Sequence, residues 1–311
     1  MSWRASRHYR SEKTMLSLHG ETALYGIFGY PIGHSLSPLM HNTAFAHHGI
    51  DAVYLPFAVH PSRVESAVKA ITALQLRGVN VTIPHKQAVM PWLDTLSPEA
   101  RLISAVNTIH LQDGHLYGYN TDGIGFLRSL EEAGGEVTGS TVMLLGAGGA
   151  ARAIAVQLCL SGIRRLLLAN RTQARVAGLA TFLKQHLPDA DISIVPMGES
   201  SLAAQLAHTD IVVNATSVGM HADDASLLPL AELGPRHLVC DIVYRPLHTA
   251  LLRTARQQGA QTVDGLGMLL HQGAKAFEIW TGQPFPIPLI RARLLEALAE
   301  QPIARSPPSK E

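Results

Sequence analysis

Cysteine is scarce: Cys159 and Cys240 are the only two in 311 residues, too few for a disulfide framework. Each lies inside an apolar run, AVQLCL and HLVCDIV, and reads as a buried thiol. A reducing compartment is favoured, and the cytoplasm is the expected location. Charge of one sign is also missing. Lys and Arg number 25 against 24 Asp and Glu, a net charge of +1, so bulk charge gives no reason to expect nucleic acid or an anionic membrane as partner. No uninterrupted apolar run approaches the roughly 20 residues of a membrane helix; the longest candidate, 142–169, is broken by glycines and by Arg152, Arg164 and Arg165. The 16 histidines show no HExxH and no paired Cys/His spacing, so no metal site is expected. His34, His41, His85 and His271 lie near the motifs described below and read as local hydrogen-bonding residues. No repeat of solenoid or propeller spacing is present. These absences leave a small molecule as the expected partner of a monomer or homodimer.

What is present is a strand–helix alternation with 26 glycines and 47% apolar residues, enough for two modest α/β domains. Strands are expected at 24–29, 53–58 and 78–83, with helices at 37–48 and 61–76, the second carrying apolar Val64, Val68, Ile71 and Leu74. Ser37 before Pro38 reads as a helix cap. Short strands at 106–111 and 115–119 frame a turn at Gln112–Asp113–Gly114. A second series starts at Thr141: strands at 142–145, 165–169, 192–195, 211–213 and 238–242, and helices at 149–160 and 172–187. Such spacing implies parallel βαβ units with right-handed crossovers. The last helices, 266–280 and 288–299, have no sheet of their own and are expected to pack back on the first domain. The expected organisation is a discontinuous first domain of 21–127 plus 266–303, a second α/β domain of 128–265, and a cleft between them. Residues 1–20 read as a loose extension, with Met15 as a possible start and a transit peptide as the alternative. Residues 304–311 read as a flexible tail.

The segment TVMLLGAGGAAR, from Thr141 to Arg152, reads as buried strand, glycine turn and helix start. Gly146, Gly148 and Ala151 fit G-x-G-x-x-A, with Ala147, Gly149 and Ala150 completing the loop. The first glycine permits the tight turn, the second lets backbone approach a pyrophosphate, and the alanine allows close helix–strand packing. Free N–H groups of the helix then face the phosphates. After the next strand, where NAD proteins place an acid, this chain has Asn170, Arg171 and Thr172, with Arg175 one turn on. A guanidinium pairs with a 2′-phosphate that a carboxylate would repel, which favours NADP and makes 128–265 a Rossmann-like NADP domain, with 21–127 plus 266–303 as the substrate domain. Two ordinary surface arginines at a solvated helix start are the plain alternative.

Four polar clusters sit at strand ends of the first domain. In GYPIGHSLSPLMHN, Ser35 and Ser37 flank a helix start, and two hydroxyls with free N–H groups make a carboxylate cradle. In NVTIPHK, Asn80 and Thr82 alternate with Val81 and Ile83 and so share one face, and Lys86 follows the proline turn. AVNT supplies Asn107, and GYNTDGIGF supplies Asn120 and Asp122. Each cluster has an ordinary reading as a cap, a turn or a surface lysine; capping alone does not explain four at successive strand ends.

At these residues the chain resembles the shikimate dehydrogenase family, from Tyr25 to about Leu295. The shared features, in order, are GYPIGHSLSP, NVTIPHK, AVNT, GYNTDG, GAGGAARA, NRT, NATSVG and GLGMLLHQ. The resemblance implies NADPH-dependent reversible reduction of 3-dehydroshikimate to shikimate, in the biosynthesis of chorismate and the aromatic amino acids. Ser35 and Ser37 would hold the substrate carboxylate. Asn80, Thr82, Asn107 and Gln272 would bond its hydroxyls, with Tyr244 nearby, and Lys86 and Asp122 would be the catalytic pair. Residues 214–219 would line the nicotinamide end, with Ile242 and Gly265 closing on the same ring. Ketone reduction needs a proton delivered to oxygen and a partner for the developing alkoxide, and the Lys86 ammonium can be both. A quinate or dual-specificity dehydrogenase, and a non-catalytic NADP-binding sensor, are the alternatives.

Overall fold

The computed structural model describes residues 18–221, 224 and 228–300. Most of the expected N-terminal extension, the possible start at Met15 and the whole expected tail lie outside them.

The first half of the chain runs β1 (Ala23–Gly29), α1 (Ser37–His48), β2 (Ala52–Ala58), α2 (Val64–Ala73), β3 (Leu76–Val81), β4 (Thr95–Leu96), α3 (Pro98–Ile103), β5 (Thr108–Gln112), β6 (His115–Tyr119) and α4 (Asp122–Glu132). Its sheet has the order β2-β1-β3-β5-β6-β4. The expected parallel pairing holds for β1 with β2 and β3, and β5 then runs antiparallel to β3. The hairpin turn works because Asp113 and Gly114 both take positive φ, 51° and 81°, as a tight two-residue hairpin turn requires.

The helix expected over 61–76 is shorter, and the strand expected at 78–83 starts earlier. Leu74 continues the apolar spacing from Ile71 but lies past the helix end and is 60% exposed. Gln75 turns the chain in the left-handed region, φ 54°, and buried Leu76 already belongs to β3. Asn107, expected inside a strand, immediately precedes β5.

The second half runs β7 (Thr141–Leu145), α5 (Gly149–Leu160), β8 (Arg165–Ala169), α6 (Gln173–His186), β9 (Ile192–Ile194), α7 (Glu199–Leu206), β10 (Ile211–Asn214), β11 (Leu238–Asp241), α8 (Ala250–Gln257), β12 (Gln261–Val263), α9 (Gly265–Thr281) and α10 (Ile287–Glu300). The second sheet is parallel throughout, in the order β12-β11-β10-β7-β8-β9. Alternate residues feed the cores on its two faces: Val142 and Leu144 on one, Met143 and Leu145 on the other. The strand order reverses between β7 and β10, and a crevice opens at such a switch point.

Helices α9 and α10 pack on the first sheet, in one core with β1 and α1. Trp280 Nε1 donates to the Ile109 carbonyl at 3.0 Å, and its ring lies where a Cβ on Gly78 would stand. Helix α4 packs against both α9 and α5, so a division at residue 127 falls inside a helix that touches both halves. Cys240 is buried and Cys159 only partly so; both are free thiols. No described helix is long and apolar enough to cross a membrane.

Candidate active site

A cleft of about 410 Å³ lies between the two sheets. All nine residues expected on the substrate side line it: Ser35, Ser37, Asn80, Thr82, Lys86, Asn107, Asp122, Tyr244 and Gln272. Ala150, Ile242 and Gly265, expected on the cofactor side, line it too.

One wall begins at α1. Ser37 is its first residue rather than its cap: Leu36 holds the cap position and no side chain caps the helix. The Ser37 N–H instead donates to Ser35 Oγ at 3.2 Å. The Ser37 hydroxyl is left to face the Tyr54 hydroxyl.

Behind this wall runs a buried chain of hydrogen bonds. Tyr54, fully buried, donates from its hydroxyl to Asn80 Oδ1 at 2.7 Å. Asn80 Nδ2 donates to the Asn107 carbonyl and to Thr108 Oγ1, both at 3.2 Å. Thr108 Oγ1 donates to Asn107 Oδ1 at 3.0 Å. Asn107 Nδ2 donates to Asp122 Oδ1 at 2.7 Å and to Thr121 Oγ1 at 3.0 Å. Asp122 Oδ2 in turn accepts from Lys86 Nζ at 2.5 Å. Both Nδ2 protons of Asn80, and both of Asn107, are thus committed within the protein. These amides fix the geometry of Asp122, and any bond from Asn80 to a ligand falls to the remaining lone pair on its Oδ1. The sequence reading missed Tyr54, Thr108 and Thr121 in this chain. Thr121 stands inside the quoted GYNTDG, but Tyr54 in VYLPF carries only the pattern of a core aromatic.

Asn120 keeps its plain role: its Oδ1 accepts from the Asp122 N–H at 3.1 Å and its Nδ2 donates to the Ala105 carbonyl. Asp122 does not cap; it is the first residue of α4 with its carboxylate in the cleft. Gln272 Nε2 donates to the Leu269 carbonyl within α9. Gly125 lies so close that an added Cβ would stand 2.6 Å from the Gln272 nitrogen, which fixes α4 against α9. Gly123 does the same toward α5, with the Ala153 carbonyl 2.8 Å from its absent Cβ. Helix α5 starts at the glycine loop, so Asp122 and that loop are held in one packed unit.

Among the four histidines, His85 donates from Nε2 to the Val59 carbonyl at 2.6 Å, and His271 Nε2 lies 3.1 Å from Glu132 Oε2. His34 is exposed on the cleft wall. His41 departs from the expectation, since neither ring nitrogen has a hydrogen-bond partner. It stacks on Tyr54 at 4.5 Å with the planes 16° apart. Burial brings its pKa down to about 3, against an opposing pull from the Asn80 side chain. An unfolded His41 titrates near 6.5, so in that window the unfolded chain binds the proton and the folded one does not. Stability from neutral His41 is complete above about pH 6.5 and is lost as pH falls toward 3. The Tm should fall across this range, and His41→Leu should flatten the slope; an unchanged slope would contradict the assignment.

The glycine loop fits a dinucleotide. Gly146 has φ 119°, and an added Cβ would stand 2.8 Å from the Ala215 carbonyl, so only glycine makes this turn. Above Gly148 and Gly149 nothing lies within 4 Å of an added Cβ, which leaves room for a ligand over the unpaired N–H groups of α5. Ala151 is fully buried against the sheet. Beyond β8, Asn170 Nδ2 donates to the Thr172 carbonyl at 3.1 Å, while Arg171 and Arg175 are exposed. On the far side, Gly265 abuts the Ile242 carbonyl so closely that a Cβ has no space. Gly265→Ala should therefore cost about 1–3 kcal/mol and lower the Tm by several degrees; an unchanged Tm would show that the β11–α9 junction yields freely. Met220, Met268, Leu269, Tyr30 and Ile83 also stand in the cleft wall. No polar pattern marks them in the sequence.

Three family models match successive parts of the chain: the shikimate dehydrogenase substrate binding domain over residues 27–109, shikimate/quinate 5-dehydrogenase over 129–228, and the shikimate 5′-dehydrogenase C-terminal domain over 265–295. The shikimate dehydrogenase (NADP(+)) of Desulforamulus reducens is 46% identical over 286 residues, covering 91% of this chain and 98% of that one. The protein of the same name from Symbiobacterium thermophilum is 49% identical, with 91% and 97% covered. A crystal structure of shikimate 5-dehydrogenase from Listeria monocytogenes, in complex with shikimate and NAD, superposes with a TM-score of 0.85 at 42% identity, covering 89% of this chain and 98% of that one.

Proposed function

The chain belongs to the shikimate dehydrogenase family, and from that premise we propose how its cleft reduces 3-dehydroshikimate to shikimate with NADPH. The observation that carries the reading is the Lys86–Asp122 pair, at 2.5 Å, inside the same cleft as Ser35, Ser37 and the cofactor-side Ala150, Ile242 and Gly265.

NADPH, when bound along the glycine loop, supplies the hydride for the C3 carbonyl carbon. Every other task falls to side chains. Ser35, Ser37 and the uncapped start of α1 bind the substrate carboxylate. Thr82, the free acceptor on Asn80 and Gln272 orient the ring hydroxyls, with Tyr244 across the cleft, while Asn107 acts through Asp122. As negative charge develops on the carbonyl oxygen, the Lys86 ammonium stabilises it and delivers one proton from Nζ. Asp122 holds that ammonium in place, and Asn107 holds Asp122. The products are shikimate, oxidised cofactor and a neutral lysine that regains its proton from solvent; in the reverse direction the neutral amine accepts the hydroxyl proton. This is the shikimate-forming step of aromatic amino-acid biosynthesis. The free thiols of the chain suit a reducing compartment, and we place the protein in the cytoplasm.

Incubation of the purified protein with shikimate and NADP+ should generate NADPH. Tight NADPH binding without turnover of any cyclohexene acid would favour the sensor reading. Quinate is the second reading, because the central family model is described for both acids. It adds a hydroxyl on the carboxylate-bearing carbon, so discrimination falls to the pocket around Ser35.

A further inference from the structure

Asp241, the last residue of β11, is a buried carboxylate that the reaction above does not use; it is 2% exposed. Its Oδ1 accepts from Asn214 Nδ2 and from the Val243 N–H, both at 3.0 Å, and its Oδ2 accepts from Thr249 Oγ1 at 2.7 Å. All three partners are neutral donors, and among the described residues no ion pair reaches it. Burial raises its carboxyl above the ordinary value, while the three donors pull it back. A carboxyl surrounded by donors alone is held as the anion. Asp241 is therefore a desolvated negative charge with no cation to cancel it.

Its position gives that charge a use. Asn214 shapes the loop after β10: its Nδ2 also donates to the Val218 carbonyl at 2.9 Å, and its Oδ1 accepts from the Thr216 N–H and hydroxyl. Gly219 in that loop has φ 105°, and an added Cβ would stand 3.6 Å from Asp241 Oδ2. The next residue after Asp241 is Ile242, in the cleft wall, and Thr249 caps α8. One carboxylate thus ties together the 214–219 loop, the exit of β11 and the start of α8.

We propose that Asp241 is a positioning residue for the nicotinamide end of the cleft whose uncompensated charge favours binding of the cationic, oxidised ring over the neutral, reduced one. The proposal rests on the reading that residues 214–219 and Ile242 face the nicotinamide. A unit charge in protein of effective dielectric about 20 acts over several ångströms with little screening. The same charge has no net monopole to attract in the reduced ring, so its effect is differential, and only a differential effect can shift a bound equilibrium.

Asp241→Asn separates charge from scaffold. The carboxamide oxygen can accept from Asn214 Nδ2 and the Val243 N–H, and its nitrogen can donate to Thr249 Oγ1, whose hydroxyl rotates. All three contacts survive while the charge goes. Kd for NADP+ and for NADPH are measured separately, by calorimetry and by the fluorescence of the reduced cofactor, together with Tm. The expected result is a Tm near wild type and a Kd ratio, NADP+ over NADPH, raised roughly tenfold, mainly through weaker NADP+ binding. An unchanged ratio, including one in which both constants move together, overturns the proposal. If Asp241→Asn is too unstable to titrate, Asp241→Ser removes the charge and keeps a hydroxyl toward Asn214. It is held to the same ratio. A wild-type protein that binds neither nucleotide would instead refute the cofactor reading, which keeps the two failures apart.

Discussion

Lys86→Ala should fold, bind NADPH and lose about 10²–10⁴ in kcat, the range set by removing a positioned acid–base group. The lysine side chain is 21% exposed and the Asp122 side chain 8%, so the pair sits where water is scarce but a ligand can reach. Removing the ammonium leaves the developing alkoxide without its cation and without its proton source. Asp122 keeps its bond from Asn107 Nδ2, so the carboxylate remains oriented and the scaffold behind it is untouched. KM for NADPH should change little, since Lys86 is not part of the glycine loop. Steady-state rates are compared with circular dichroism and Tm to establish folding. A loss below tenfold in a folded variant would mean that the proton comes from elsewhere.

Replacing both Arg171 and Arg175 by alanine should weaken NADPH binding about 10²-fold or more and leave NADH binding nearly unchanged. A hydrogen bond to a charged group contributes about 1.5–3 kcal/mol, and a 2′-phosphate is present in one cofactor and absent from the other. Both arginines follow the C-terminal end of β8, the side of a parallel sheet on which a dinucleotide binds. The exposed guanidiniums cost nothing to reach, yet Asp224 stands within electrostatic reach of Arg171 and would compete for it. The Listeria relative, by comparison, has NAD in its crystal structure. Equal losses for NADPH and NADH in the double variant would return these arginines to the status of ordinary surface residues.

How much of this could be read from the chain depends on the range of each interaction. The glycine loop was fully legible because its determinants are local: Gly146 needs a positive φ, and Ala151 needs to be small, within one strand–turn–helix unit. The positions of Asn80, Thr82, Lys86 and Asn107 were legible as polar residues where strand ends should be apolar. What those side chains do to one another was not. Asn80 and Asn107 give up their amide protons to partners 27, 28, 14 and 15 residues away, and no local pattern encodes that. Tyr54 hides its role for the same reason, its ring serving the core while only its hydroxyl serves the site. Asp241 looked like the end of a strand, and its meaning came from Thr249 and Asn214 arriving beside it. The helices missed are α3, α4, α7 and α8: α3, α7 and α8 are 6, 8 and 8 residues long, too short for periodicity to stand out, and α4 buries Gly123, Gly125 and Ser129 where apolar residues would have marked its inner face. The overlong reading of α2 came from Leu74, an exposed leucine that continued the apolar spacing past the turn.

The decisive measurement is kcat/KM for shikimate and for quinate, each with NADP+ and with NAD+, at matched concentrations. A strong preference for shikimate with NADP+ over the other three combinations is expected. Comparable values for quinate would make the chain a dual or catabolic member of its family, and comparable values with NAD+ would contradict the role given to Arg171.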